Sequence, residues 1–171
     1  DNFYKQNVNY PYMGFVDFVN LEPVNGRDYA TADAAIIYKD KKSEVDFSLG
    51  TFNNKVVLNT GEAEDDEEVY MIGGYSGLVK GKVLNSNYRI YDWSGQGPEQ
   101  YRNMIKTNIS SVNGDSGGPL LRERNQNSYT ILGILKGREK DNQAFFTSWD
   151  SIENDLVFGK KERPVQVWLW P

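Results

Sequence analysis

Hydrophobic and polar positions alternate along this chain in short runs, broken repeatedly by Gly, Asn and Asp. Period-two alternation places successive side chains on opposite faces of an extended strand. The pattern predicts strands at Gly14–Val19, Ala34–Tyr38, Lys55–Leu58, Glu68–Ile72 and Leu78–Leu84. Further strands are expected at Tyr88–Tyr91, Met104–Ile109, Pro119–Leu121, Tyr129–Leu135 and Gln143–Ser148. Many short strands with turn residues between them indicate an all-β sandwich or barrel. One segment reads as helical. Between Trp149 and Phe158 the apolar Trp149, Ile152 and Leu156 share a helix face, with Asp150 near its start. No internal repeat or low-complexity linker interrupts the chain, and the stretches Gly73-Gly74 and Gly95-Gln96-Gly97-Pro98 read as turns.

Composition narrows the function classes. The 171 residues suffice for one ordinary domain or two small packed halves. A net charge of −5 argues against a nucleic-acid partner, which would need clustered Lys and Arg. No apolar run is long enough to span a bilayer, so no membrane partner is expected. No basic-then-apolar leader opens the sequence, so a secretory signal is read as absent or already removed. The acidic run Glu62, Glu64, Asp65, Asp66, Glu67 and Glu68 reads as a solvated loop between strands. Calcium is the sharper reading of the same carboxylates, but the run lacks a glycine-punctuated loop pattern. No metal and no cofactor are therefore expected. There is no cysteine, so a disulfide framework, a thiolate nucleophile and a zinc-thiolate centre are excluded. There is no histidine either.

The stretch that carries chemistry is Gly114-Asp115-Ser116-Gly117-Gly118-Pro119. Small residues on both sides of a serine let the backbone turn sharply and expose the hydroxyl. They also free peptide N–H groups to point at a developing oxyanion. A plain glycine-rich turn would need less of this pattern. The six-residue string resembles the nucleophile loop of the chymotrypsin-like serine proteases. Other segments are similar to that family too. Tyr129–Leu135 resembles the strand running from the nucleophile to the substrate-binding edge, and the segment from Trp149 resembles the C-terminal helix. Ile72-Gly73-Gly74-Tyr75-Ser76-Gly77 looks like the Gly-aromatic-Gly strand end that opens the second barrel.

The resemblance implies an all-β, two-barrel fold with a C-terminal helix, the first barrel incomplete in this chain. Residues 1–70 would be the remainder of the first barrel and residues 71–171 the second. It implies a serine endopeptidase acting on a polypeptide substrate through an acyl-enzyme, and it favours a secreted or extracellular setting. Ser116 would be the nucleophile, with the N–H groups of Gly114 and Ser116 as oxyanion hole. Asp33, which precedes the apolar run Ala34-Ala35-Ile36-Ile37, would be the triad carboxylate. Asp28 is the rival, but no apolar strand follows it directly. Ser110 would sit at the base of the primary pocket, with Lys136, Gly137 and Arg138 forming one wall. A neutral base with nearby cations suits apolar or acidic side chains. The plainer reading has Lys136 and Arg138 facing solvent, as long basic side chains usually do.

Three departures from the family follow. A serine hydroxyl is a weak nucleophile without a positioned base, and this chain supplies no imidazole. The chain alone is expected to be inactive. A histidine-bearing N-terminal companion segment, missing or separated by proteolytic processing, is one expectation; a pseudoprotease serving as a binding or scaffold protein is the alternative. Second, Asp115 cannot pair with a new amino terminus of the Ile or Val type, because the chain begins Asp1-Asn2-Phe3. Bacterial-type members satisfy this aspartate differently, and the same is expected here. Third, specificity follows from the resemblance alone, and Asn108-Ile109-Ser110 also matches an N-glycosylation triplet, yet it falls in a pocket wall. A carbohydrate-binding β sandwich, with Trp168 and Trp170 as a stacking platform, leaves the nucleophile loop unexplained.

Overall fold

The computed structural model describes residues 14–20, 34–39, 56–91, 100–126, 128–139, 141 and 143–154. Two antiparallel strands, β1 (Gly14–Asn20) and β2 (Ala34–Lys39), form one small sheet. Every other described strand belongs to a second sheet. Its members are β3 (Val56–Thr60), β4 (Glu68–Gly73), β5 (Gly77–Tyr91), β6 (Gln100–Ser110), β7 (Pro119–Asn125), β8 (Ser128–Arg138) and β9 (Gln143–Ser148).

The second sheet closes on itself. Its order runs β3-β8-β7-β4-β5-β6-β9, and β9 returns to pair with β8. Six strands, β4 to β9, thus form a barrel, which leaves no open edge between them. β3 adds to it as a parallel partner of residues 128–131 on β8, below the stretch 133–138 that pairs with β9. A division of the chain near residue 70 falls inside β4, so this sheet holds residues from both sides of it.

The barrel closes because its inward positions are apolar. Val69 and Met71 on β4, Val83 on β5, Ile105 and Ile109 on β6, Leu120 on β7, Leu132 and Leu135 on β8 and Phe146 on β9 form one buried cluster. Fully burying each such side chain is favourable by about 1.5–3 kcal/mol. Close strand approach needs Gly133, where an added Cβ would lie 2.3 Å from the Thr147 carbonyl oxygen. After β9 comes the helix α1 (Trp149–Ile152), N-capped by Ser148, whose hydroxyl accepts from the Ser151 N–H at 3.2 Å. The predicted continuation through Leu156 and Phe158 lies outside the described residues, as do Trp168 and Trp170. No helix among the described residues is long and apolar enough to cross a membrane.

The acidic run forms the β3–β4 connection, and several of its carboxylates have structural partners. Glu67 pairs with Arg122 at 3.0 Å and also accepts from the Glu64 N–H at 2.8 Å. Asp65 accepts from the Ser86 N–H, and Glu68 pairs with Lys80 at 2.7 Å. The run is therefore partly a turn-and-pairing device and not only a solvated loop.

Candidate active site

The loop from Ser111 to Gly118 joins β6 to β7 across the end of the barrel. Its shape follows from two glycines and one aspartate. Gly114 has φ +101° and Gly117 has φ +84°, backbone conformations that side chains resist. Between them Asp115 is fully buried while Ser116 is exposed. The turn is closed by the Asp115 N–H donating to Val112 O at 3.2 Å and the Gly118 N–H donating to Asp115 O at 2.9 Å. Two bonds tie the loop to β8: Gly117 N–H to Leu135 O at 3.0 Å and Leu135 N–H to Gly118 O at 2.8 Å.

Asp115 is the anchor. Its Oδ1 accepts from the backbone N–H groups of Tyr75 at 3.0 Å and Ser76 at 2.8 Å. Its Oδ2 accepts from the Ser76 hydroxyl at 2.6 Å and the Val112 N–H at 2.9 Å. The carboxylate is thus satisfied from the β4–β5 turn and from its own loop. Gly73 makes room for it, since a Cβ there would lie 2.4 Å from Asp115 Oδ1. Ser76 and Val112 were not legible as partners; the only signal was the small, turn-rich string around Gly74-Tyr75-Ser76-Gly77.

Burial by itself would raise the Asp115 pKa. Hydrogen bonds from the Ser76 hydroxyl and from the Val112, Ser76 and Tyr75 N–H groups outweigh it and hold the carboxyl down to about 2. The folded value lies below the unfolded one, so the unfolded chain binds the proton more readily. Stability from this group is therefore present above pH 4 and is lost as pH falls toward 2. A depression from 3.8 to about 2 corresponds to roughly 2 kcal/mol. Urea midpoints measured from pH 5 to 2 should fall more steeply for the native chain than for Asp115→Asn. Parallel slopes would contradict this assignment.

With the loop so fixed, Ser116 stands out from the surface. The N–H groups of Gly114 and Ser116 have no hydrogen-bond partner among the described residues. Tyr75, 80% exposed, lies beside this loop in contact range of Gly114, and Val112 on the loop is exposed. Such an arrangement can present a hydroxyl and a pair of donors to one carbonyl group. Asp33, the residue just before β2, lies outside the described residues, as does Asp28.

The other predicted pocket residues meet near the start of β9. Ser110, exposed at the end of β6, is opposite Gln143, and Arg138 at the end of β8 is opposite Ala144. Lys136 is half-buried, departing from the solvent-facing reading, whereas Arg138 is exposed. Lys136 lies with its ammonium 4.0 Å from the centroid of the buried Tyr101 ring. Arg138 reaches across to the Ser111–Gly118 loop, donating from Nη1 to Ser111 O and from Nη2 to Asn113 Oδ1 at 3.4 Å. Gly137 packs against the Phe145 ring, which a Cβ would meet at 3.3 Å. Asn108 uses its side-chain oxygen to accept from the Lys82 N–H at 2.7 Å.

The closed barrel of six strands, with a short helix after β9 and a glycine-flanked serine on the loop over its end, matches the β fold of the chymotrypsin-like serine proteases. Solved structures agree. The chain is similar to the Cellulomonas bogoriensis chymotrypsin, with TM-score 0.61 and 19% identity over 74% of this chain and 67% of that one. It is similar to a glutamic acid-specific serine protease described as using a histidine triad in substrate binding. There the TM-score is 0.63 and identity 19%, over 85% of this chain and 72% of that one. Thermobifida fusca protease A gives TM-score 0.60 at 18% identity, over 74% and 66% of the two chains. No family model and no curated protein matches the sequence.

Proposed function

We propose that this chain is the serine-bearing part of a serine endopeptidase, completed by a histidine on a separate segment. The carrying observation is the nucleophile loop, in which exposed Ser116 stands beside two unengaged N–H groups on a turn anchored by buried Asp115. In the completed site the Ser116 Oγ attacks the scissile carbonyl and its proton passes to the companion's imidazole. The carbonyl oxygen becomes an oxyanion held by the Gly114 and Ser116 N–H groups. Collapse returns the proton to the departing amine and leaves an acyl group on Ser116, which water then removes by the same base. Asp33 would orient the imidazole.

The substrate is a polypeptide that lies along the end of β8, where pairing with β7 stops at Ile134. One structural neighbour's recognition rests on a histidine triad, which a chain with no histidine does not reproduce. The same absence of histidine favours the second reading, a catalytically inactive binding protein on this fold. Hydrolysis of an unfolded protein substrate separates the two. The native assembly with its histidine segment should cleave it, and Ser116→Ala should lower kcat by about 10⁴-fold or more. Cleavage that survives Ser116→Ala sinks the assignment of the nucleophile. A native assembly with no cleavage at all and no histidine near Ser116 leaves the binding protein.

A further inference from the structure

We propose that the Arg138 guanidinium makes this site selective for an acidic side chain on the acyl side of the bond that Ser116 attacks. The inference rests on the reading of Ser116 given above, but its support is separate. Two cations stand near the end of β8, and the structure gives them different surroundings. Lys136 is held over the Tyr101 ring, which is buried in the barrel wall. Arg138 is exposed and turned toward the segment that leads into the nucleophile.

Its anchors are both neutral, the Ser111 carbonyl and the Asn113 side-chain oxygen. A guanidinium carries five N–H donors in a rigid fork. Two anchors fix its plane and leave the remaining donors for a ligand. The carboxylate next to it in sequence is engaged elsewhere. Glu139 pairs with Lys106 at 2.7 Å and accepts from the Tyr88 hydroxyl at 2.8 Å. Arg138 therefore has no carboxylate partner among the described residues, in a chain of net charge −5.

Position completes the case. Leu135 is hydrogen-bonded to Gly117 and Gly118, immediately beyond Ser116. Arg138 lies three residues further along the same strand, about 10 Å at the usual strand rise. A side chain hanging from a carbonyl at Ser116 must cross that interval, and the arginine reaches back over part of it. A carboxylate would meet the fork with charge-assisted bonds, which are roughly twice as strong as neutral ones. A neutral or basic side chain would leave the guanidinium unpaired or oppose it. Ser110, on the other side of β9, adds a neutral hydroxyl and no competing charge.

Equilibrium binding tests this without requiring catalysis. Two product-like peptides, identical except for a final Glu or Gln, are titrated against the 171-residue chain by fluorescence anisotropy. The Glu peptide should bind about tenfold or more tightly than the Gln peptide. In Arg138→Gln that ratio should fall to about one. In Arg138→Lys it should be intermediate, since an ammonium keeps the charge but lacks the fork. Thermal melts of both variants confirm that they are folded. A ratio near one in the native chain, no detectable Glu-peptide binding, or a preference that survives Arg138→Gln overturns the proposal. Fluorophosphonate labelling of Ser116 in the completed assembly reports the other reading independently. An unlabelled serine with the Glu preference intact refutes the nucleophile and leaves Arg138 as the acid receptor.

Discussion

Replacing Asp115 by alanine is expected to destabilise the chain by about 3–5 kcal/mol, a large part of the stability of an ordinary domain. Four donors converge on this carboxylate, three backbone N–H groups and the Ser76 hydroxyl, around a side chain with no solvent exposure. Alanine leaves the N–H groups of Tyr75, Ser76 and Val112 without an acceptor, and each orphaned buried donor costs about 1–3 kcal/mol. Water entering the gap would recover some of that, which sets the upper bound. At this chain length the loss corresponds to a fall in Tm of roughly 10 °C. Asparagine should lie between the two. Its carbonyl can replace Oδ1 for Tyr75 and Ser76, but its NH₂ faces the Val112 N–H donor to donor. Urea unfolding of the three proteins at pH 7 checks the order. An alanine variant within 1 kcal/mol of the native chain would show that the anchor is dispensable.

The second large effect is expected at Gly118. A Cβ there would lie 2.7 Å from Ile72 O and 2.9 Å from Asp115 O. Both obstacles are backbone, so neither can swing aside as a flexible side chain would. Gly118 is also bonded at both its N–H and its carbonyl, to Asp115 and Leu135. Gly118→Ala must push the loop away from β4 or from β8, at a cost of about 2 kcal/mol or more. It should also shift Ser116, two residues earlier, from its place on the loop. Gly117→Ala is the control. Its φ is +84°, yet nothing lies within 4 Å of the added Cβ. It should cost only the backbone strain, about 1 kcal/mol. Equal destabilisation by the two would mean that crowding at Gly118 is not what shapes the loop.

Much of this architecture was legible because inward positions of a barrel strand must be apolar and outward ones need not be. Val69 and Met71, or Leu120 and Leu132, announce their strands directly. What lacked an apolar signal was cut short. β7 was expected to end at Leu121, but Arg122–Asn125 continue it with mostly exposed polar side chains that pair to β8. β5 was read as two strands, Leu78–Leu84 and Tyr88–Tyr91, with the polar Asn85-Ser86-Asn87 between them. The chain instead runs through it as one strand, with register shifts that absorb the irregular stretch. The parallel pairing of β3 with β8 had no signature, since no local pattern records a partner some seventy residues away.

The site divides the same way. Ser116 and its glycines are contiguous, so the sequence string was enough to find them. The groups that hold them come from elsewhere: Tyr75 and Ser76 lie some forty residues earlier, and only the folded chain brings them to Asp115. The resemblance assigned Arg138 to a pocket wall, but its anchors on Ser111 and Asn113 depend on the β6–β9–β8 order. Asp33 was read from the strand that follows it. β2 does begin at Ala34, and Asp33 itself lies outside the described residues.

The central claim is that Ser116 is poised for acylation and lacks only its base. It is tested most directly by a fluorophosphonate, which labels an activated serine, with the adduct located by tandem mass spectrometry. Labelling is compared between the 171-residue chain alone and the native assembly, with intact masses read in the same run. The account predicts slow or no labelling of the isolated chain and rapid labelling of the assembly, confined to Ser116, together with a second, histidine-bearing polypeptide. An assembly that contains such a segment yet leaves Ser116 unlabelled, or that labels at another serine, would contradict it.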